Sequence, residues 1–535
     1  MPIFHDKKLK NLSLKMKEPA FHLRSLLQDK ERCAALFYEG GGLYLDLCRQ
    51  NMNSEVMVTL TEKARERGVR QSFQDMMAGL KVNASEKRAV LHTAARNPGA
   101  PVWVDGNDAA AMLATVLRKI FAFADAAHNG EILGSAGNRF SHVLVVGIGG
   151  SRLGTEAVYE ALKARHPVWL PLVFLSTIDP NAFYLQTREL NPKTTLVLVV
   201  SKSFTTREVA MNQKMVRNWL KNSGVEPSDH MIHVTAKGSP GDCKQDICRD
   251  VFHMFEFIGG RYSASSAVGT LPLSLAFGKD VVERFLAGCR EMDAHAAQAP
   301  EEKNLPLLAA LCDIWNGEYL GFPAFVMVPY AAPLLFFSFH MQQLYMESLG
   351  KGQTLSGQPI PPEKQAMLCF GHIGTDAQHS FFQMLHQGRG APVEFIGVLN
   401  SPLEACADVS GHGLTPHEEL WSNLLAQADA FALGRREGRP EQLCPGNRPS
   451  SILTLRDLDA NHIGRLLAYL EARTVYVGLL KDINPFDQFG VENGKTLAAD
   501  LRKHFSGEVP SSGERVETYL NALRQGFFRD QEPKR

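Results

Sequence analysis

Between residues 142 and 257, short aliphatic and β-branched runs alternate with amphipathic stretches, and this alternation restricts the fold more than any other feature of the chain. His142-Val-Leu-Val-Val146, Leu172-Val-Phe-Leu175, Thr195-Leu-Val-Leu-Val-Val200 and Met231-Ile-His-Val234 read as strands, as does Phe252 to Phe257. Helices are expected between them at Leu153 to Ala164 and Thr206 to Lys221. Alternation of this kind implies a parallel sheet with both faces covered by helices.

A second α/β region begins near residue 322. Phe325-Val-Met-Val-Pro329 reads as a buried strand with Pro333 opening a helix, Val393 to Val398 as another strand, and His417 to Leu433 as a helix. Two units of similar style suggest a structural duplication. The first hundred residues read as mainly helical, ending in Glu86-Lys-Arg-Ala-Val-Leu-His92-Thr-Ala-Ala-Arg96-Asn-Pro98. After about residue 506 a polar stretch leads to a last helix, Arg515 to Phe527, read as an arm over a partner. The expected class is therefore α/β with mostly parallel sheets, a helical N-terminal segment and a C-terminal arm.

Charge and cysteine usage narrow the function. Fifty-seven Lys plus Arg balance 57 Asp plus Glu with no long run of one sign, which argues against a nucleic-acid backbone binder. Nine cysteines without a CxxC pair form no disulfide framework, and a reducing cytoplasm is the natural setting. Cys243 and Cys248 have neither metal-ligand spacing nor a histidine at a recognised interval. The lysine-rich N-terminus has no apolar core of signal-peptide length. Phe322 to Phe339 is nearly all apolar, but Pro323, Pro329 and Pro333 argue against a membrane-spanning helix.

Two loops follow buried strands. In Gly147-Ile-Gly-Gly-Ser151-Arg-Leu-Gly154 the glycines expose amides at a helix start, although Arg152 breaks the dinucleotide fingerprint. A phosphate or sugar contact and a purely structural turn explain it equally. Ser201-Lys-Ser-Phe-Thr-Thr206 brings four hydroxyls and an ammonium to the next helix start, which suits a phosphate dianion. Capping through Thr205 and Glu208 would use only part of that set.

Further along, Gly259-Gly-Arg261-Tyr-Ser-Ala-Ser-Ser-Ala-Val268-Gly places an arginine in a glycine-rich turn. Gln343 and Glu347 lie four apart on one helix face, in an apolar setting that favours partial burial of the carboxylate. His379 and His386 are seven apart on an expected helix; metal pairs usually stand three or four apart, and no third ligand accompanies them. No metal is expected there. The stretch Gly478 to Lys495 packs Gln488, Glu492 and Lys495 among aromatics and glycines.

In this order, the six segments resemble glucose-6-phosphate isomerases, and the Glu86 to Pro98 stretch extends the match to most of the chain. The resemblance implies two sugar-isomerase-type α-β-α sandwich domains: a smaller one at 108–275 with the phosphate-binding loops, and a larger one from 1–107 and 276–505. Residues 506–535 would be the helical arm. It implies interconversion of glucose 6-phosphate and fructose 6-phosphate by ring opening and a cis-enediol, without cofactor or metal. Glu347 would be the base, His379 and Lys495 the ring-opening pair, and Arg261 the group opposing developing charge. Gly150 and Ser151 would touch the sugar; Ser201, Lys202, Ser203 and Thr206 would hold the phosphate. Gln343 and Gln488 would also contact substrate, and Glu208 would support His379. A homodimer is implied in which His379 serves the partner's pocket. The chain departs from the family at Ser203 for threonine, Ser265 for tryptophan and Leu349 for asparagine. A non-catalytic phosphosugar-binding protein would keep the loops but need none of Glu347, His379 and Lys495. Acceptance of mannose 6-phosphate stays open.

Overall fold

The computed structural model describes residues 2–243, 247–401, 413–506, 508 and 514–526. They form two units, Met1–Phe486 and Asp487–Arg535. The first holds two main sheets. One runs, in spatial order, Leu172–Leu175, His142–Val146, Thr195–Val200, Met231–Ala236 and Asp250–Met254, every neighbour parallel. Its central strand Thr195–Val200 is buried at every position, as a strand covered on both faces must be.

The other sheet is ordered Phe37–Gly40, Leu43–Asp46, Ser450–Leu455, Val393–Val398, Ala324–Pro329 and Leu368–Gly371. Its last four strands are parallel, and the hairpin Phe37–Asp46 caps their edge antiparallel. In each sheet the first parallel strand in sequence lies between the second and the third. That shared order is the form the suspected duplication takes. The expected α/β class with mostly parallel sheets holds.

Helix Ala460–Lys481 is buried along most of its length and packs on Lys279–Gln298 and Leu305–Ile314. Two buried arginines tie this layer together. Arg473 meets Asp313 and Glu394 at 2.7 Å, and Arg96 meets Asp293 at 2.8 Å and also Glu471. Deleting one partner of such a group strands a charge in the core, which typically costs about 3–5 kcal/mol.

Three sequence expectations need correcting. The N-terminal hundred residues are helical at Pro2–Lys15, Ser54–Glu66 and Val69–Met77, but also contain the Phe37–Asp46 hairpin. Gly41 and Gly42 turn it with φ of +55° and +74°, the two positive angles of a tight hairpin. Glu86 to Pro98 is turns and one 3-10 turn, Ala94–Arg96. There the Asn83 side chain takes the Glu86 amide and Lys87 has φ of +55°, so no helix can start. The strand expected at Phe252 to Phe257 is Asp250–Met254, and Phe255 and Phe257 stack on each other beyond its end. Cys243 and Cys248, with no histidine at a recognised sequence interval, have one beside them in space, His233 of the strand Met231–Ala236.

The second unit contains helices Glu492–Ser506 and Glu514–Gln525. Phe527, the expected end of the last helix, lies outside the described residues. Among those residues no helix is long and apolar enough to cross a membrane, and the eight cysteines described are unpaired.

Candidate active site

In the five-stranded sheet the chain leaves His142–Val146 toward one side and returns to Thr195–Val200 on the other. The carboxyl ends of those two strands therefore form a topological switch point, where an open α/β sheet leaves a crevice. Gly147 to Ser151 and Ser201 to Thr206 are the loops at those two ends.

The first loop is forced against the Gly259 to Tyr262 turn. A Cβ on Gly150 would stand 2.2 Å from the carbonyl carbon of Gly260, so no side chain fits there. Ser263 Oγ donates to the Gly150 carbonyl at 3.2 Å. Gly149, with φ of +58°, faces Gln343, whose Nε2 would lie 3.1 Å from an added Cβ. Ser151 is half-buried beside them.

Gln343 and Glu347 project from helix Leu335–Leu349, which Gly350 ends. Gln343 Nε2 donates to Glu347 Oε2 at 2.7 Å. The other carboxylate oxygen, Oε1, stands 3.3 Å from Arg261 Nη1. Arg261 is only 3 % exposed, whereas the Glu347 side chain keeps a quarter of its surface open. The guanidinium is fixed on its remaining edges: Nε donates to Ser348 Oγ at 2.6 Å and Nη2 to the Pro485 carbonyl at 2.7 Å. Tyr262 Oη adds a 3.0 Å bond to the same Ser348 hydroxyl. A carboxylate positioned by an amide and a rigid cation, with one side accessible, can exchange a proton with a bound ligand while the cation opposes charge built there.

Ser348 and Tyr262 are site residues that sequence reasoning missed. Each directly follows a residue that was singled out, and that adjacency was the only signal available. The departures from the family pattern also find their settings. Leu349 is buried in the core. Ser265 accepts a 3.0 Å hydrogen bond from Arg96 Nε, a polar role in place of an aromatic one.

The hydroxyl loop has its own geometry. Ser201 Oγ accepts from the Phe204 amide at 3.2 Å, and Ser203 Oγ accepts from the Thr205 amide and hydroxyl. Phe204 has φ of +55°, an angle costly for an aromatic residue and concentrated at functional sites. Helix Arg207–Asn222 begins after Thr206, which makes no side-chain cap. The capping box expected from Thr205 and Glu208 is not formed, so the first amides of this helix are available to an anion. Lys202 Nζ donates to the carbonyls of Glu256 and Ile258 and pairs with the Glu256 carboxylate at 3.2 Å. Burial pushes its pKa down, while Glu256 opposes that shift.

The two histidines do not share a helix. Gly374–Gln378 ends just before His379, and Phe382–Gln387 starts anew, because Phe381 and Phe382 turn into aromatic clusters with Phe370 and Phe431. His386 stacks on Phe431 at 4.1 Å and bonds Gln427. His379 is exposed, and neither it nor Glu208 has a side-chain hydrogen bond among the described residues. Gln488 and Lys495 belong to the second unit; Gln488 is exposed, and Lys495 Nζ pairs with Glu492 at 2.7 Å. The contacts thus join Gly150, Arg261, Gln343 and Glu347, and tie Lys202 to the turn preceding Arg261.

The family model described as phosphoglucose isomerase matches residues 46–518. The chain belongs to the phosphoglucose isomerase family. A curated relative from Desulfosudis oleivorans, "Glucose-6-phosphate isomerase", is 45% identical, with 96% of this chain and 94% of that protein covered. "Glucose-6-phosphate isomerase, cytosolic 1A" of Clarkia lewisii is 40% identical over 94% of this chain and 90% of that protein. Among solved structures, a glucose-6-phosphate isomerase from Chlamydia trachomatis superposes with a TM-score of 0.87 at 33% identity, covering 97% of this chain and 98% of that one.

Proposed function

We propose that this chain is an aldose–ketose isomerase interconverting D-glucose 6-phosphate and D-fructose 6-phosphate. Membership of the family supports the reaction. The observation that carries its mechanism is the Glu347 carboxylate, held by Gln343 on one oxygen, faced by Arg261 on the other, and open on one side.

The sugar enters mostly as a closed ring. His379, assisted by Lys495, moves a proton between the ring oxygen and the anomeric hydroxyl, and the ring opens to a carbonyl. Glu347 takes the proton from the carbon beside that carbonyl, the electron pair forms the enediol double bond, and the proton of the hydroxyl on that carbon passes to the former carbonyl oxygen. Returning the proton to the neighbouring carbon gives the other isomer. Arg261, pinned by Ser348 and Pro485, offsets charge on the enediolate oxygens without having to reorganise. Ser201, Ser203 and Thr206, with the first amides of helix Arg207–Asn222, anchor the phosphate, and Lys202 supplies positive charge beside it. Gly150, Ser151 and Gln488 meet the sugar.

The same reading assigns the larger domain to 1–107 and 276–505, the smaller to 108–275 and the arm to 506–535. It makes the active species a homodimer in which His379 enters the partner's pocket beside Glu208. Its support is that His379 is exposed and Glu208 half-buried, and that neither side chain has a hydrogen-bond partner among the described residues. A cytosolic setting goes with it, as in the names of the Clarkia relatives.

Glu347→Gln tests the mechanism. The variant should still bind sugar phosphate but lose both isomerisation and exchange of the sugar proton with solvent, by about 100- to 10,000-fold. Full turnover would remove Glu347 as the base.

A further inference from the structure

His233, Cys243 and Cys248 each present one donor atom, and the three atoms lie within 4.8 Å of one another. They come from different places. His233 is on the buried strand Met231–Ala236, and the cysteines are on the connection to Asp250–Met254. Among the described residues no other group of histidine, cysteine and carboxylate side chains converges in this way. The mechanism above uses none of the three.

We propose that these residues form a binding site for a soft divalent cation of the zinc type. Zinc takes thiolate at about 2.3 Å and imidazole at about 2.0–2.1 Å, so sulfur and nitrogen on a tetrahedral ion stand roughly 3.5 Å apart. Cys243 Sγ already lies 4.0 Å from His233 Nδ1, within a small side-chain adjustment of that separation. Two sulfurs and one imidazole favour zinc over magnesium or calcium, which prefer oxygen. Cys243 is half-buried and Cys248 buried, which leaves the Cys243 side open for a water as the fourth ligand.

The hydrogen bonds define what must change on binding. His233 Nδ1 donates to the Gly241 carbonyl at 2.9 Å, which puts the ring proton on Nδ1, and Nε2 accepts from Gln213 Nε2 at 3.2 Å. Loading a cation moves that proton to Nε2, turns the Gln213 amide to offer its oxygen, and releases one proton from each thiol to solvent. The net charge gained by the site is therefore zero for a divalent ion. The site stands directly behind the hydroxyl loop: the Phe204 ring packs on His233 with centroids 4.6 Å apart, and Gly241 presses on the same ring.

Cobalt(II) titration of the reduced, full-length enzyme tests this site by spectroscopy, without reference to turnover. One equivalent per chain should give a near-ultraviolet sulfur-to-cobalt charge-transfer band, with zinc then displacing the cobalt. Cys243→Ser and Cys248→Ser should each abolish that band, and Gln213→Ala should weaken binding by about 10- to 100-fold through loss of the partner that orients the imidazole. In the unmutated protein, zinc should protect Cys243 from alkylation, as read on its own peptide by mass spectrometry. No band and no protection of Cys243 would overturn the assignment. So would a band that persists in the Cys243→Ser, Cys248→Ser double variant.

Discussion

Replacing Arg261 by lysine separates charge from geometry at the centre of the site. The guanidinium's contacts include Ser348 Oγ at 2.6 Å, the Pro485 carbonyl at 2.7 Å and Glu347 Oε1 at 3.3 Å. A lysine ammonium keeps the charge but cannot reproduce a planar fork that spans all three. It will settle on one or two of them, and the opposing charge will no longer be fixed where the enediolate oxygens develop theirs. Losing one preorganised donor of that kind costs about 100- to 1,000-fold in turnover, or about 2.7–4 kcal/mol. Because Arg261 is not part of the phosphate loop, KM should change little. The buried Pro485 carbonyl, exchanging its 2.7 Å guanidinium donor for the 3.4 Å one from Tyr262 Oη, should lower folding stability by about 1 kcal/mol. Initial rates over a range of fructose 6-phosphate concentrations, with urea unfolding of the same preparation, measure both effects. Turnover within about threefold of the parent in a normally folded variant would refute the role given to Arg261. A defect confined to KM would make it a binding group instead. Ser348→Ala provides a milder version, retaining the guanidinium and removing only the hydroxyl that orients its Nε.

Mixing the inactive variants Glu347→Gln and His379→Ala should restore activity through one intact site in each hybrid dimer, to about a quarter of the parent level for random exchange; no recovery after subunit exchange is verified would place His379 in its own chain's pocket. Burial holds the His340 pKa down at about 4, against an ordinary histidine value of 6.5. The unfolded chain therefore binds this proton first, and folding stability should fall as pH drops from about 6.5 towards 4, by up to about 3 kcal/mol for this group. Urea midpoints across that range should show a shallower decline in His340→Leu than in the parent, and equal slopes would count against His340. Ser265→Ala removes the acceptor of the buried Arg96 Nε and should lower stability by about 1–3 kcal/mol. An unchanged unfolding midpoint would mean that another group takes over that bond.

What could be read from the sequence divides according to where each residue finds its partner. The strand runs needed no partner information, because continuous apolar stretches can only be covered on both faces, and four of the five in the first sheet fall where they were expected. Gln343 and Glu347 were legible because helical spacing alone puts them together. Arg261 stands out as an arginine in a glycine turn, but its restraint does not, since Ser348 and Pro485 are 87 and 224 residues away in the chain. The His379 to His386 stretch has helical composition throughout, yet two phenylalanines gain more by entering separate aromatic clusters, so packing broke a helix that local preference would have kept. The hairpin at Phe37–Asp46 was a missed local signal: two consecutive glycines at positive φ between strands are a hairpin signature, and the helical pattern around them masked it. His233 shows the same division most sharply. It lies 10 and 15 residues before Cys243 and Cys248, an interval that no linear motif describes, and only the return of the chain from one parallel strand to the next closes the three donors into a group. A strand residue and a crossover loop are held together by sheet topology, so clusters of this kind have to be sought where a crossover loop passes its own strand rather than in spacings.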